Sequence, residues 1–353
     1  MKLANLRYSR VFLRLVFFVK KYFYLGLAIP LFLLFFYGYG LAADYLNKLK
    51  VKPNDLLNFL SDTSEVLDNQ AGVTNFLLLG IRGEGSDSPN LSDTMIFFSY
   101  NKEKQSLTQI SIPRDIWVPS IRDRINTAYH YGEEASPGGG LKLVEASIFE
   151  VLGQPVNYTA IVSFDLFKKI IDLVGGIDVY VSPGFTDKEF PVPGKENSYP
   201  IESRYETITF PEGLNHFDGD TALKFVRSRH SVGDQGTDFA RSQRQQKVIS
   251  ALKEKVLSSN ALLSREKIDQ LISLVQENLV TNISPSLYPS LIKTAYTLNQ
   301  SQLKTVVLDT APDAAGVSIL YNPPISKLYD NKWVLLPKDN NWKALKQYIE
   351  NSL

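Results

Sequence analysis

Four arginines fall within eighteen residues, in Phe225-Val226-Arg227-Ser228-Arg229-His230 and then Thr237-Asp238-Phe239-Ala240-Arg241-Ser242-Gln243-Arg244-Gln245. Arg227 and Arg229 are two apart, so an extended segment points both to one side. Arg241 and Arg244 are three apart and share a face of a helix. Between the pairs, Ser231-Val232-Gly233-Asp234-Gln235-Gly236 has turn composition and would bring them together. Converging planar guanidinium forks suit phosphate oxygens, which they grip in pairs. The competing account is a row of surface arginines on a solvated helix, and spacing alone leaves both open.

Three glycine- or charge-bearing loops lie upstream. The first runs from Gly80-Ile81-Arg82-Gly83-Glu84-Gly85-Ser86-Asp87 to Ser92-Asp93-Thr94, where glycines let backbone approach a ligand and Asp93 stands at the lip of the next strand. Capping or turn chemistry would also account for Asp93. In the second, Ile112-Pro113-Arg114-Asp115, proline halts a strand and presents an arginine for phosphate and an aspartate for a divalent cation, or else a local ion pair. The third is Arg124-Ile125-Asn126-Thr127-Ala128-Tyr129 with Gly138-Gly139-Gly140, where Asn126 and Tyr129 are hydrogen-bonding candidates. His130, His216 and His230 are scattered, and the chain carries neither a metal-binding histidine motif, a nucleophile elbow nor a phosphate-binding glycine–lysine loop. Arginines, carboxylates and glycines remain, a set that suits phosphoryl transfer, where electrostatic positioning supplies most of the catalysis.

These loops need a scaffold to hold them. Tyr22 to Ala43 carries no charge and spans roughly 30 Å as a helix, the thickness of a bilayer core. The preceding residues 1–21 are basic without an acid, which predicts a cytoplasmic N-terminus, an uncleaved single-pass anchor in the cell membrane, and an extracytoplasmic remainder. Residues 44–72 read as a stalk, and 73–353 as the working domain. A net charge of +1 gives no support to nucleic-acid binding, and the absence of cysteine excludes disulfide and thiolate-metal sites. Apolar runs predict strands at Asn75–Ile81 (buried on both faces), Thr94–Tyr100, Leu107–Ile112, Tyr158–Ser163 and Asp178–Val181. Helical patterns cover Gly140–Leu152, Asp165–Val174, Arg241–Leu257 and Lys267–Leu279, and a strand–turn–strand–helix set ends the chain through Val306, Val334 and Trp342–Ile349. Gly184 to Arg204, rich in proline, fits neither element and reads as an irregular excursion. The alternation predicts an α/β fold, an α-β-α sandwich around a central mixed sheet.

Taken in order, Ser92-Asp93-Thr94, Pro113-Arg114-Asp115, Ile125-Asn126-x-Ala128-Tyr129, Val174-Gly175-Gly176-Ile177, Gly219-x-x-Ala222-Leu223-x-x-x-Arg227-x-Arg229 and Asp238-x-x-Arg241-x-x-Arg244-Gln245 resemble the LytR-CpsA-Psr family. The likeness is best over residues 75–257 and weaker to about 310. It implies a phosphotransferase that moves a glycopolymer from a polyprenyl-pyrophosphate carrier to peptidoglycan through a phosphodiester bond. By that resemblance Arg114, Arg227, Arg229, Arg241 and Arg244 hold the pyrophosphate, with Gln245, Arg82 and Asn126 beside them. Asp93 helps hold Mg²⁺ (or Mn²⁺), Asp115 and Asp238 orient the arginines or assist the metal, and an apolar tunnel takes the lipid. Apolar residues of Phe164 to Val174 would line part of that tunnel, although ordinary core packing leaves the same pattern. Asp93 or Asp115 is the candidate acceptor of the hydroxyl proton. The chain departs from the family at Arg82, where many members have a metal-binding aspartate, and at Leu91, where many have an arginine. Either Glu84 or Asp87 replaces the missing carboxylate and Arg82 the missing cation, or the chain holds its metal weakly or needs it less. Two other functions use the same residues: a polyprenyl-pyrophosphate hydrolase, or a non-catalytic envelope protein that binds anionic lipid or polymer. An aromatic groove from Phe185, Phe190 and Tyr199 would favour transfer to a saccharide.

Overall fold

The computed structural model describes residues 67, 72–84, 86, 88–195, 197–258, 265–288, 290, 291, 294, 303–311 and 318–353. The predicted membrane segment 22–43 and nearly all of the stalk lie outside these residues. Among the described residues no helix is long and apolar enough to cross a membrane. Two compact units divide the chain, one of residues 1–65 and 285–290, the other of 66–284 and 291–353. In the first, the described part contains a short 3-10 turn, Pro285–Leu287. Everything below concerns the second.

Apolar residues open the sheet at β1 (Val73–Ile81), followed by β2 (Ser92–Asn101) and β3 (Ser106–Ser111) as antiparallel neighbours. Short strands β4 (Trp117–Val118) and β5 (Asp123–Arg124) lead to helices α1 (Ala128–Ala135) and α2 (Gly139–Leu152). Next, β6 (Tyr158–Ser163) pairs parallel with β1 and hands over directly to α3 (Phe164–Leu173). The Ser163 side chain accepts the Leu166 N–H at 3.1 Å and starts α3. Gly175 and Gly176, at φ 81° and 77°, end it in the left-handed conformation that glycine tolerates. After β7 (Ile177–Val181), β8 (Phe185–Pro191), β9 (Tyr205–Phe210) and β10 (Gly213–Phe217) come α4 (Gly219–Arg227), α5 (Asp238–Ser258) and α6 (Arg265–Asn278). The remaining elements are β11 (Val280–Thr281), β12 (Leu303–Val307), β13 (Leu320–Tyr321), β14 (Leu336–Pro337) and α7 (Trp342–Glu350).

The central sheet has the order β11-β6-β1-β2-β3-β12, with β1–β6 and β3–β12 parallel and the other pairs antiparallel. This is a mixed α/β fold with a central mixed sheet. One face of the sheet is closed: Leu77, Leu79, Met95, Phe97 and Ile110 pack against Val144, Ile148 and Val151 of α2 and Leu345 and Ile349 of α7. The 4- and 3-residue spacing along α2 puts its buried residues on one stripe. β1 is not buried on both faces as its composition predicts, because Phe76 and Leu78, pointing the other way, stay partly exposed. A second core gathers Ile171, Ile177, Val179, Phe217, Phe225 and Val248 from α3, β7, β10, α4 and α5.

The segment expected to be an irregular excursion is an antiparallel ribbon in part. β8 and β9 pair through Phe185↔Phe210 and Phe190↔Glu206, and only the residues between them wander. Phe185 and Phe190 turn inward, so the prolines around them mark the ends of strands and not the absence of strands.

Candidate active site

The C-terminal ends of β1 and β3 lie at the same end of the sheet as the start of β2, and charge collects there. Gly80 pairs with Thr94 and Ile81 with Ser92, so Asp93 is the extra residue of a β-bulge. Bulges re-aim a side chain, and this one turns Asp93 toward the residues that follow β1 and β3. Arg82 Nε donates to Asp93 Oδ2 at 2.9 Å, and Arg114 Nη1 donates to Asp93 Oδ1 at 2.6 Å. Arg114 Nε lies 3.4 Å from Asp115 Oδ2, and Arg124 Nη1 donates to Asp115 Oδ1 at 3.1 Å. Arg82, Asp93, Arg114, Asp115 and Arg124 thus form one alternating chain of charge. Burial pushes the Asp93 carboxyl up, but the charges and hydrogen bonds of Arg114 and Arg82 outweigh it and hold the group below the usual carboxylate range. For Arg114, burial acts downward and the two carboxylates, Asp93 first, overcome it and raise its pKa.

Arg227 arrives from the opposite side, as the last residue of α4. Its guanidinium carbon sits 4.7 Å from the Phe164 ring centroid and 5.5 Å from that of Phe190. Aromatic faces hold it by cation–π attraction without neutralising it. Burial and the nearby charges of Arg82 and Arg114 lower its pKa against the pull of Asp93. No carboxylate is paired with it among the described residues.

The loop after Arg227 is fixed from beneath. Asp187 of β8 is fully buried, and its Oδ2 accepts the Ser228 hydroxyl at 2.6 Å and the N–H groups of Arg229 and His230 at 3.0 and 3.1 Å. Its Oδ1 accepts the Glu189 N–H at 3.0 Å. Arg244 grips the same loop through Nη2 to the Ser228 carbonyl at 2.6 Å and Nη1 to the Gln235 carbonyl at 3.0 Å. Its guanidinium also stacks on Phe185 at 4.7 Å. Burial, and then the Arg241 charge, bring the Arg244 pKa down to about 10. The 3-10 turn Gly233–Gly236 completes the loop, and a Cβ at Gly236 would collide with the Ser231 carbonyl oxygen.

These groups enclose a cavity of about 570 Å³ lined by Arg82, Arg114, Arg124, Arg227, Arg229 and Arg241 together with Asp93 and Asp115. Six arginines therefore face two carboxylates. Of the residues that the motifs single out, Arg82, Asp93, Arg114, Asp115, Arg227, Arg229 and Arg241 are brought together on this wall. Arg244, Gln245 and Asn126 are buried and lie off it: Arg244 supports the loop, and the Asn126 N–H donates to the Arg114 carbonyl at 3.2 Å. Asp238 opens α5. Arg227 and Arg229 share the cavity because α4 ends between them, not because the segment is extended. Four contributors escape the motif reading: Arg124, His230 and Trp333 on the lining, and Asp187 below it. Arg124 stands next to the residues chosen for Asn126, and its role depends on contact with Asp115, which no spacing reveals.

A model of the LytR_cpsA_psr family matches residues 35–345. The chain belongs to this family. A protein of Bacillus anthracis named polyisoprenyl-teichoic acid–peptidoglycan teichoic acid transferase TagU is 30% identical over 254 residues, 70% of this chain and 73% of that protein. TagU of Bacillus cereus is 29% identical over 63% of this chain and 64% of its own length. TagV of Bacillus subtilis is 30% identical over 62% of this chain and 52% of its own. Less than two thirds of the latter two relatives is thus matched. Among solved structures, Bacillus subtilis TagV superposes with a TM-score of 0.54 at 22% identity, over 81% of this chain and 98% of that one. TagT bound to LIIa-WTA gives 0.53 at 20% identity, over 82% and 94%. Both share the fold.

The LytR-CpsA-Psr resemblance implies a divalent cation, and the donors here do not fit one. Mg²⁺ asks for about six oxygen ligands, with carboxylates usually among them. Each oxygen of Asp93 and of Asp115 already faces a guanidinium. Glu84 is exposed and off the lining, Asp87 lies outside the described residues, and no group of three acidic or histidine side chains forms among those described.

Proposed function

We propose that this chain transfers a glycopolymer, of the teichoic acid class named for its relatives, from a polyprenyl-pyrophosphate carrier to peptidoglycan. The observation that carries the proposal is the cavity itself: six arginines against two carboxylates, with Arg227 held by two aromatic rings and left without a counter-charge. Such a surplus matches a pyrophosphate and the charge that spreads over phosphorus oxygens in transfer. A hydroxyl oxygen of the acceptor sugar bonds to the phosphorus nearest the glycan. The bond from that phosphorus to the bridging oxygen breaks, and polyprenyl phosphate leaves with it. The proton lost by the hydroxyl passes to solvent or to the departing phosphate. Asp93 is a weak base for it, since its arginines hold the carboxyl ionised.

The partly covered sheet face, with Phe76, Leu78 and Phe98, and the half-buried Phe167, Ile170 and Leu173 of α3 offer apolar surface for the lipid tail. The uncharged stretch 22–43 serves as a single-pass anchor that keeps the cavity at the outer membrane leaflet. Phe185 and Phe190 are buried and Tyr199, though exposed, is off the cavity lining, so the aromatic assigned to the glycan is Trp333, 48% exposed on that lining. Trp333→Ala is expected to raise KM for the glycan substrate roughly 5- to 10-fold at nearly constant kcat, the equivalent of about 1 kcal/mol of ring stacking. Steady-state kinetics check it.

The full chain in detergent, supplied with a polyprenyl-pyrophosphate oligosaccharide and peptidoglycan fragments, tests the proposal by mass spectrometry. Oligosaccharide joined to peptidoglycan by a phosphodiester supports transfer. Free glycan phosphate would make the protein a hydrolase, and retained lipid without turnover a binding protein.

A further inference from the structure

We infer that Arg82 supplies, as a fixed guanidinium, the positive charge that a carboxylate-bound divalent cation would otherwise supply beside Asp93, so that this chain works without a bound metal ion. The inference rests on the pyrophosphate reading above. Asp93 is the carboxylate closest to such a role, and it is spanned: Arg82 Nε takes Oδ2 at 2.9 Å and Arg114 Nη1 takes Oδ1 at 2.6 Å. Asp115 is spanned more loosely, by an ion pair with Arg114 Nε at 3.4 Å and a hydrogen bond from Arg124 Nη1 at 3.1 Å. A hard dication would have to displace guanidinium from carboxylate oxygens and then sit inside a ring of arginines. The Arg82 side chain is 31% exposed and borders the cavity, and only its Nε is engaged among the described residues. Its two terminal nitrogens remain to donate to phosphate oxygens, in the planar fork that suits them. Asp93 then has a positioning task. It aims the Arg82 and Arg114 forks into the cavity and does not ligate an ion.

Two readouts on the full chain in detergent, stripped of metal, test this. The first is a titration of the substrate-free protein with Mn²⁺, followed by electron paramagnetic resonance, which needs neither turnover nor a variant. No saturable binding is expected, and saturable binding would overturn the inference. The second is transfer in EDTA. The unaltered chain is expected to keep its activity, and Arg82→Lys, which keeps the charge but loses the fork, to lose part of it without gaining a need for the ion. Arg82→Asp is expected to lose about 10²-fold in EDTA, the scale of a removed charge-stabilising donor. It should regain activity, and bind Mn²⁺ saturably, when the ion is added. Abolition of the unaltered chain's activity by EDTA, restored by Mg²⁺, would equally overturn it. Should no condition give product, the transfer reading fails while the Mn²⁺ titration still decides the role of Arg82.

Discussion

Arg227→Ala lowers kcat/KM by about 10²–10³, the scale seen when one donor to a developing oxyanion is removed. The effect is expected mainly in kcat, because the arginine is positioned for charge that grows in the transition state. Its guanidinium carbon lies 4.7 Å from the Phe164 ring centroid and 5.5 Å from that of Phe190, and the rings hold it without cancelling its charge. Each other side chain of the Arg82–Asp93–Arg114–Asp115–Arg124 chain shares its charge with an opposite neighbour. Arg227 gives up none of its own. Arg227→Lys is expected to recover little, since an ammonium neither stacks as a plane nor donates as a fork. Melting curves of both variants should stay near that of the parent, for the residue is tied by ring contacts at a helix end. A loss of less than about tenfold would remove Arg227 from the groups that touch phosphorus.

Asp187→Asn costs roughly 2–3 kcal/mol of stability, because a buried carboxylate that accepts four hydrogen bonds is replaced by a weaker acceptor with an added donor. Transfer falls as well, by up to about 10²-fold, since Ser228 to His230 carry Arg229 into the cavity and a shift of an ångström there misplaces it. Burial drives the Asp187 carboxyl up, but the Ser228 hydroxyl and the N–H groups of His230, Glu189 and Arg229 hold it below its ordinary value. A depressed folded value stabilises fully above the unfolded value near 4 and is lost as pH falls through the folded one. The parent's melting temperature should therefore drop steeply below about pH 4, with Asp93 adding to the slope, and Asp187→Asn should flatten it. An unchanged acid profile in the variant would show that the carboxylate does not carry the loop.

Most of the scaffold is legible from pattern because its causes are local. β6 falls on Tyr158–Ser163 as its β-branched run predicts, and α3 stops at Gly175-Gly176. β8 and β9 are not legible. Their pairing joins residues about twenty apart across a proline-rich tract, and the inward turn of Phe185 follows from a core assembled elsewhere in the chain. The same limit governs the site. Arginines at motif spacing are readable, yet spacing does not separate Arg241, which lines the cavity, from Arg244, which lies three residues on and clamps the loop from behind. Asp187 is invisible as a functional residue because its partners are backbone N–H groups some forty positions away. The bulge at Asp93 likewise arises from a register shift between two strands, not from the residue itself.

The central claim is that the bond made to the acceptor is a bond to the phosphorus nearest the glycan. A polyprenyl-pyrophosphate oligosaccharide with radioactive phosphorus at that position alone, incubated with the full chain and peptidoglycan, tests it most directly. The label should move into peptidoglycan and survive phosphatase treatment, as a phosphodiester does. Label that stays with the lipid, or that appears as free glycan phosphate, would contradict the account.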